Sequence, residues 1–217
     1  MKILYQDNHI LVAVKPVGYL SEPGGGKSFP DALSAHLREH GEKDEIFTVH
    51  RLDKVVGGVM VFARTQKAAS ILTQAVAARE VHKEYLAVLR GTPEKDEDTL
   101  EDLLFRDASK NKTFVVQRMR KGVRDASLSY KTVANTVAEE QALTLVTVRL
   151  HTGRTHQIRV QFSSRKLPLL GDIRYGSRDP GCTAALFSRR LGFTHPATGK
   201  PVEFACDPPK EYPWNLF

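Results

Sequence analysis

The chain predicts an α+β fold, a mixed and mainly antiparallel central sheet flanked by helices and loops. Three observations carry this. Short β-branched or aliphatic runs recur along the sequence between turn residues. Few stretches have helical spacing of apolar residues. No alternating series of strands and helices of the kind that builds a parallel sheet emerges. With 217 residues and 41% hydrophobic content, a real core is affordable and one compact catalytic unit spanning 1–217 is expected.

Ile3-Leu4-Tyr5 and Ile10 to Val14, broken by Asn8, read as a strand pair ending at Pro16. Ser28 caps a helix starting near Pro30 and Asp31, with Leu33 and Leu37 four apart on its buried face. Val59 to Ala63 is continuously apolar, so both faces of that strand should be covered. Thr65 caps a helix whose stripe is Ala69, Leu72 and Val76. Tyr85 to Leu89 returns as a strand, and the acidic stretch after Thr92 reads as a surface loop. Phe114 to Val116, Ser127 to Val133 and Leu143 to Leu150 have strand composition, and Ala126, Leu128 and Tyr130 alternate as in a half-buried strand. Ile158, Val160 and Phe162 alternate too, yet Ile158 and Phe162 also suit one helix face. The residues leave both readings open.

No run of 18 apolar residues occurs, and Met1 to Gln6 is too short and polar for a secretory signal, so a soluble cytoplasmic protein with no membrane association is expected. Cys182 and Cys206 lack CxxC spacing, so neither a disulfide framework nor a metal site is indicated. The net charge of +7 points to an anionic partner. Its distribution sharpens this. From Arg106 to Arg124 there are seven Lys or Arg against one acid, and from Arg149 to Lys166 five and none, whereas Glu94 to Asp102 holds six acids. Such segregation suits a face that neutralises phosphates, with Arg118 and Lys121 as candidate contacts.

His50-Arg51-Leu52-Asp53 sets one carboxylate beside a cation and aliphatic residues ahead of the pair Gly57-Gly58. Gly153-Arg154-Thr155-His156-Gln157-Ile158-Arg159 is a second polar, basic cluster between apolar segments. Together with Lys15-Pro16-Val17-Gly18, Lys83-Glu84-Tyr85, Gly171-Asp172-Ile173-Arg174-Tyr175-Gly176 and His195-Pro196-Ala197-Thr198-Gly199, in that order, they resemble the signatures of the RluA family of pseudouridine synthases over nearly the whole chain. The resemblance implies a pseudouridine-synthase-like catalytic domain that isomerises uridine within ribosomal or transfer RNA. It favours the helical reading of Ile158 to Phe162. The extra RNA-binding domain that many members carry at the amino terminus is not expected within the short segment before His50.

The isomerisation breaks the bond from the sugar to N1 of uracil, turns the base and rejoins it through C5. It calls for no metal and no cofactor. The resemblance makes Asp53 the essential carboxylate, acting as nucleophile or as base, and Arg159 the guanidinium that keeps it ionised. An arginine suits that task because its planar fork can hold a carboxylate by two hydrogen bonds. Tyr85 resembles the family's active-site tyrosine, and Arg51 the arginine that contacts the extruded nucleotide. Arg154 and His156 are expected to order their own turn or contact RNA, and His50 to be a hydrogen-bonded structural residue. Nothing demands more than a monomer.

Two departures stand out. Val56-Gly57 replaces the Thr-Ser that usually precedes the glycine of this loop, and Gln161 replaces a common histidine, so altered rate or specificity is expected. The competing expectation is a non-catalytic RNA-binding relative using the same basic face. Gly24-Gly25-Gly26-Lys27-Ser28 falls short of a phosphate loop because Ser21 stands where glycine is required, and it reads as a flexible surface loop.

Overall fold

Backbone contacts in the computed structural model, which describes residues 1–24 and 26–217, divide the chain into two units, Met1–Lys83 with Ser188–Asp207 and Glu84–Phe187 with Pro208–Phe217. Part of the expected glycine loop, Gly25, lies outside the described residues. The strands are mainly antiparallel and three α-helices accompany them, so the α+β reading holds.

In the first unit, β1 (Lys2–Gln6) and β2 (Ile10–Lys15) form the expected antiparallel pair. The turn between them closes on the Asp7 carboxylate, which accepts from the backbone N–H groups of His9 and Ile10. Helix α1 (Phe29–Glu39) begins where Ser28 Oγ accepts from Asp31 N at 3.2 Å, and it buries Phe29, Leu33 and Leu37. Strand β3 (Phe47–Thr48) is short, and β4 (Gly57–Ala63) is buried at every residue, as its unbroken apolar run predicts. Thr65 caps helix α2 (Gln66–Ala77). The buried stripe of α2 centres on Ala68 and Leu72, whereas Ala69 and Val76 are half-buried, a shift of one position from the expected face.

The second unit holds most of β5 (His82–Arg90), then β6 (Glu97–Asp107), β7 (Lys112–Val116), β8 (Val123–Ala138), β9 (Gln141–Leu150) and α3 (Gln157–Ser164), in the strand order β5-β9-β8-β6-β7. Ala126, Leu128 and Tyr130 point inward along β8 as expected. The acidic stretch corrects the sequence reading, because Glu97 to Asp102 is strand, not loop. Leu100 and Leu104 supply its buried face, which Asp102 shares, while Glu97 and Glu101 point outward, so composition masked an amphipathic strand. Also unforeseen were β10 (Leu186–Thr194) and β11 (Pro201–Ala205). β11 pairs antiparallel with β10, which lies beside β4 in the first unit.

Gly58 shows why glycine is needed where β4 meets β10. Its φ is +126°, and a Cβ there would lie 2.3 Å from the Ser188 carbonyl oxygen. Any side chain would force the two backbones apart.

Candidate active site

Asp53 sits, half-buried, in a turn closed by Val56 N donating to Asp53 O at 2.9 Å. The Lys15-Pro16-Val17-Gly18 turn braces this loop, with Gly18 N donating to Lys54 O at 2.8 Å. Ser21 Oγ accepts from Leu52 N at 3.0 Å and donates to Leu52 O at 2.7 Å. The backbone on both sides of the carboxylate is therefore tied down. Val56, one of the two departures, is a core residue here, with its side chain buried.

Lys15 ends β2 with no exposed surface, and its Nζ donates to Pro16 O at 3.1 Å and Tyr19 O at 2.9 Å. Burial pushes its pKa down to about 8, while the Asp53 charge works in the opposite direction. A buried ammonium thus lies within electrostatic reach of Asp53, and the sequence reading had assigned Lys15 no role. His50 is buried and accepts from Val61 N at 3.1 Å through Nε2, which makes it the structural residue expected. Burial, helped by the Lys83 charge, holds its pKa well below the usual histidine value, so it is neutral. Arg51 is half-exposed and pairs with Glu22 at 2.8 Å.

In the second unit Tyr85 is buried on β5, opposite Val148 of β9. Helix α3 follows the Gly153 to His156 turn and carries Arg159, confirming the helical reading of that segment. His156 enters the helix at φ +56°, a left-handed conformation uncommon outside glycine and asparagine. Arg154 Nε donates to Asp125 O at 2.8 Å, and the same guanidinium pairs with the Asp125 carboxylate. Arg154 therefore fastens its own turn to β8.

Arg159 has a partner that sequence reasoning missed. Its Nε and Nη2 each donate to one oxygen of Asp172 at 2.7 Å, and both side chains are buried. Asp172 stands just ahead of a 3₁₀ turn, Ile173–Tyr175, whose Tyr175 ring lies 5.1 Å from the guanidinium carbon. Tyr175 in turn takes a hydrogen bond from Thr113 N at 2.9 Å, and its hydroxyl lies 2.9 Å from His156 Nδ1. Burial raises the Tyr175 pKa above the usual phenol value. The guanidinium plane is thereby fixed along one edge by a carboxylate and over one face by a ring, an arrangement that presets its direction. The available signal was the Gly171 to Gly176 segment, which marked the region without revealing what Asp172 touches.

Gln161, the second departure, anchors α3 to β6. Its Nε2 donates to Leu100 O at 3.1 Å and to Asp102 Oδ2 at 2.8 Å. Arg118 and Lys121 lie exposed on the loop between β7 and β8. Among the described residues no cluster of three or more His, Cys, Asp or Glu could hold a metal ion, and both cysteines are free.

The strand-rich α+β fold and the likeness to known proteins place the chain in a class, the RNA-modifying isomerases that make pseudouridine. The chain belongs to the RNA pseudouridylate synthase family, which it matches over residues 9–164, and its motifs are of the RluA type; it is a pseudouridine synthase. It is 33% identical to ribosomal large subunit pseudouridine synthase D of Xanthomonas campestris, over 97% of this chain and 67% of that protein. It is 34% identical to the enzyme of the same description in Vibrio cholerae, over 97% of this chain and 68% of the relative. In fold it resembles human RNA pseudouridylate synthase domain containing 1, with a TM-score of 0.82 at 21% identity, over 96% of this chain and 83% of that one.

Proposed function

We propose that this pseudouridine synthase isomerises specific uridines in ribosomal RNA, transfer RNA or both, with Asp53 as the catalytic carboxylate and without a cofactor. The observation that carries this is Asp53 itself, a half-buried carboxylate on a loop tied down on both sides, near enough to the buried Lys15 ammonium for their charges to interact. An ionised carboxylate shielded from bulk water can attack the sugar or base, or withdraw a sugar proton. Arg159, its direction preset by Asp172, is the guanidinium proposed to hold Asp53, and Tyr85 the ring that stacks on the uracil. Arg51 meets the extruded nucleotide by exchanging Glu22 for RNA phosphate. Arg118, Lys121, Arg154 and His156 complete the RNA-binding set. Ribosomal RNA is supported by the description of the bacterial relatives as large-subunit enzymes.

Residues 1–217 are proposed to act as one catalytic domain, as a monomer in the cytoplasm where the RNA is. No helix among the described residues is long and apolar enough to cross a membrane.

The test uses unmodified cellular RNA carrying tritium at uracil C5. Rejoining through C5 expels that hydrogen, so the wild-type protein should release tritium and Asp53→Asn should release none while binding RNA within about threefold of wild type. An Asp53→Asn protein that keeps releasing tritium would end the proposal.

A further inference from the structure

The loop between β7 and β8 and the first residues of β8 carry a group of cations close together in the sequence, Arg118, Arg120, Lys121 and Arg124. Three other arginines of that unit have acidic partners, Arg149 with Glu84, Arg154 with Asp125 and Arg165 with Asp102. Arg118, Arg120, Lys121 and Arg124 are all exposed, and none of them has an ion pair among the described residues. Four cations left without acids repel one another, and an external polyanion relieves that cost.

In the middle of them stands Met119, 62% exposed. Single exposed apolar side chains are ordinary on protein surfaces. Here the setting differs, because the base of the loop is rigid. Arg120 stacks its guanidinium carbon 5.0 Å from the Phe105 ring, and its carbonyl accepts from Val123 N at 3.0 Å. Gly122 lies against the same ring in a left-handed conformation, φ +86°, and Val123 is buried. The root of the loop is therefore clamped to β6 and β8, and the thioether is held out in water between cations.

Resting on the RNA-modifying reading above, we infer that Met119 is a nucleobase wedge. Arg118, Lys121 and Arg124 hold the phosphates while the thioether packs against or between bases. A flexible, polarizable side chain fits base faces of differing shape, and methionine is among the apolar residues that proteins insert between base steps. The substrate class follows. A perfect A-form duplex hides its base faces, whereas loops and bulges offer them, so the wedge selects RNA with unpaired or weakly stacked steps.

The inference is tested with a stem–loop RNA carrying 2-aminopurine in its loop and a fully paired duplex of equal length. Wild-type protein should raise the 2-aminopurine fluorescence as the loop base unstacks. Met119→Ala should abolish that rise and weaken stem–loop binding about tenfold, with duplex binding and the salt dependence unchanged. Met119→Phe should retain both signals, and Arg118→Gln should instead flatten the salt slope by about one. Wild-type behaviour of Met119→Ala, or equal weakening on stem–loop and duplex, overturns the wedge. Neither readout requires isomerisation. A protein that releases no tritium yet shows the Met119 effect would thus defeat the proposed reaction and leave the wedge standing.

Discussion

Replacing Asp172 by asparagine isolates the pair that presets Arg159. The wild-type carboxylate accepts two N–H groups of Arg159 at 2.7 Å each, with side-chain exposures of only 1% for Asp172 and 5% for Arg159. Asparagine is isosteric but offers one acceptor and one donor, so one N–H of Arg159 keeps a partner while the other meets an NH₂ group. The guanidinium also stays charged in a water-poor site, and removing one member of a buried pair costs about 3–5 kcal/mol. Since one hydrogen bond survives, the lower end is expected, about 3 kcal/mol. In a chain of this size that lowers Tm by about 6–12 °C. Thermal and urea unfolding of Asp172→Asn, Arg159→Met and the double variant measure it. The double variant should lose little more than either single one, with a coupling of at least about 2 kcal/mol. A loss below about 1 kcal/mol, or additive singles, would show that the pair does not hold the guanidinium. If Arg159 serves Asp53, the Asp172→Asn enzyme should also lose kcat with little change in KM.

Three further outcomes are expected. The folded pKa of Lys15, about 8 against 10.5 when free, means that between those values the unfolded chain holds a proton the folded one has lost. The cost of burying that charge is full below pH 8 and fades as pH rises, by up to roughly 3 kcal/mol, so wild type should gain on Lys15→Met between pH 8 and 10 in urea unfolding. Parallel curves for the two proteins would contradict this. Gly58→Ala, with its Cβ forced to 2.3 Å from Ser188 O, should cost more than about 4 kcal/mol and leave little soluble protein; a variant melting within about 3 °C of wild type would refute the close approach. Ser28→Ala removes the cap of α1 and should cost about 1 kcal/mol, read from the urea midpoint.

What the sequence made legible is what local chemistry decides. The caps Ser28 and Thr65, the doubly covered β4 and the alternation along β8 all follow from neighbours a few residues apart. The misses come from longer-range effects. Glu97 to Asp102 becomes strand because β8 lies alongside it about 30 residues on, which outweighs a composition typical of loops. The stripe of α2 moved from Ala69 to Ala68 because small alanines mark a helix face weakly. Of the site, the family resemblance supplied Asp53, Tyr85 and Arg159, but the partner of Arg159 could not be read off. Asp172 lies 13 residues further on in a separate turn, and only folding brings the two side chains together. Lys15, though part of a motif that carries the resemblance, was given no role for a similar reason, since nothing local distinguishes a lysine that ends a strand in the interior from one that reaches water.

The Tyr175 hydroxyl joins segments far apart in the sequence. It takes the Thr113 N–H of β7, lies 2.9 Å from the His156 ring where α3 begins, and belongs to the turn that follows Asp172. Burial raises its pKa above the usual phenol value, so the hydroxyl keeps its hydrogen at neutral pH and the junction stays uncharged. Loss of that one oxygen would loosen the strand, the helix entry and the turn together.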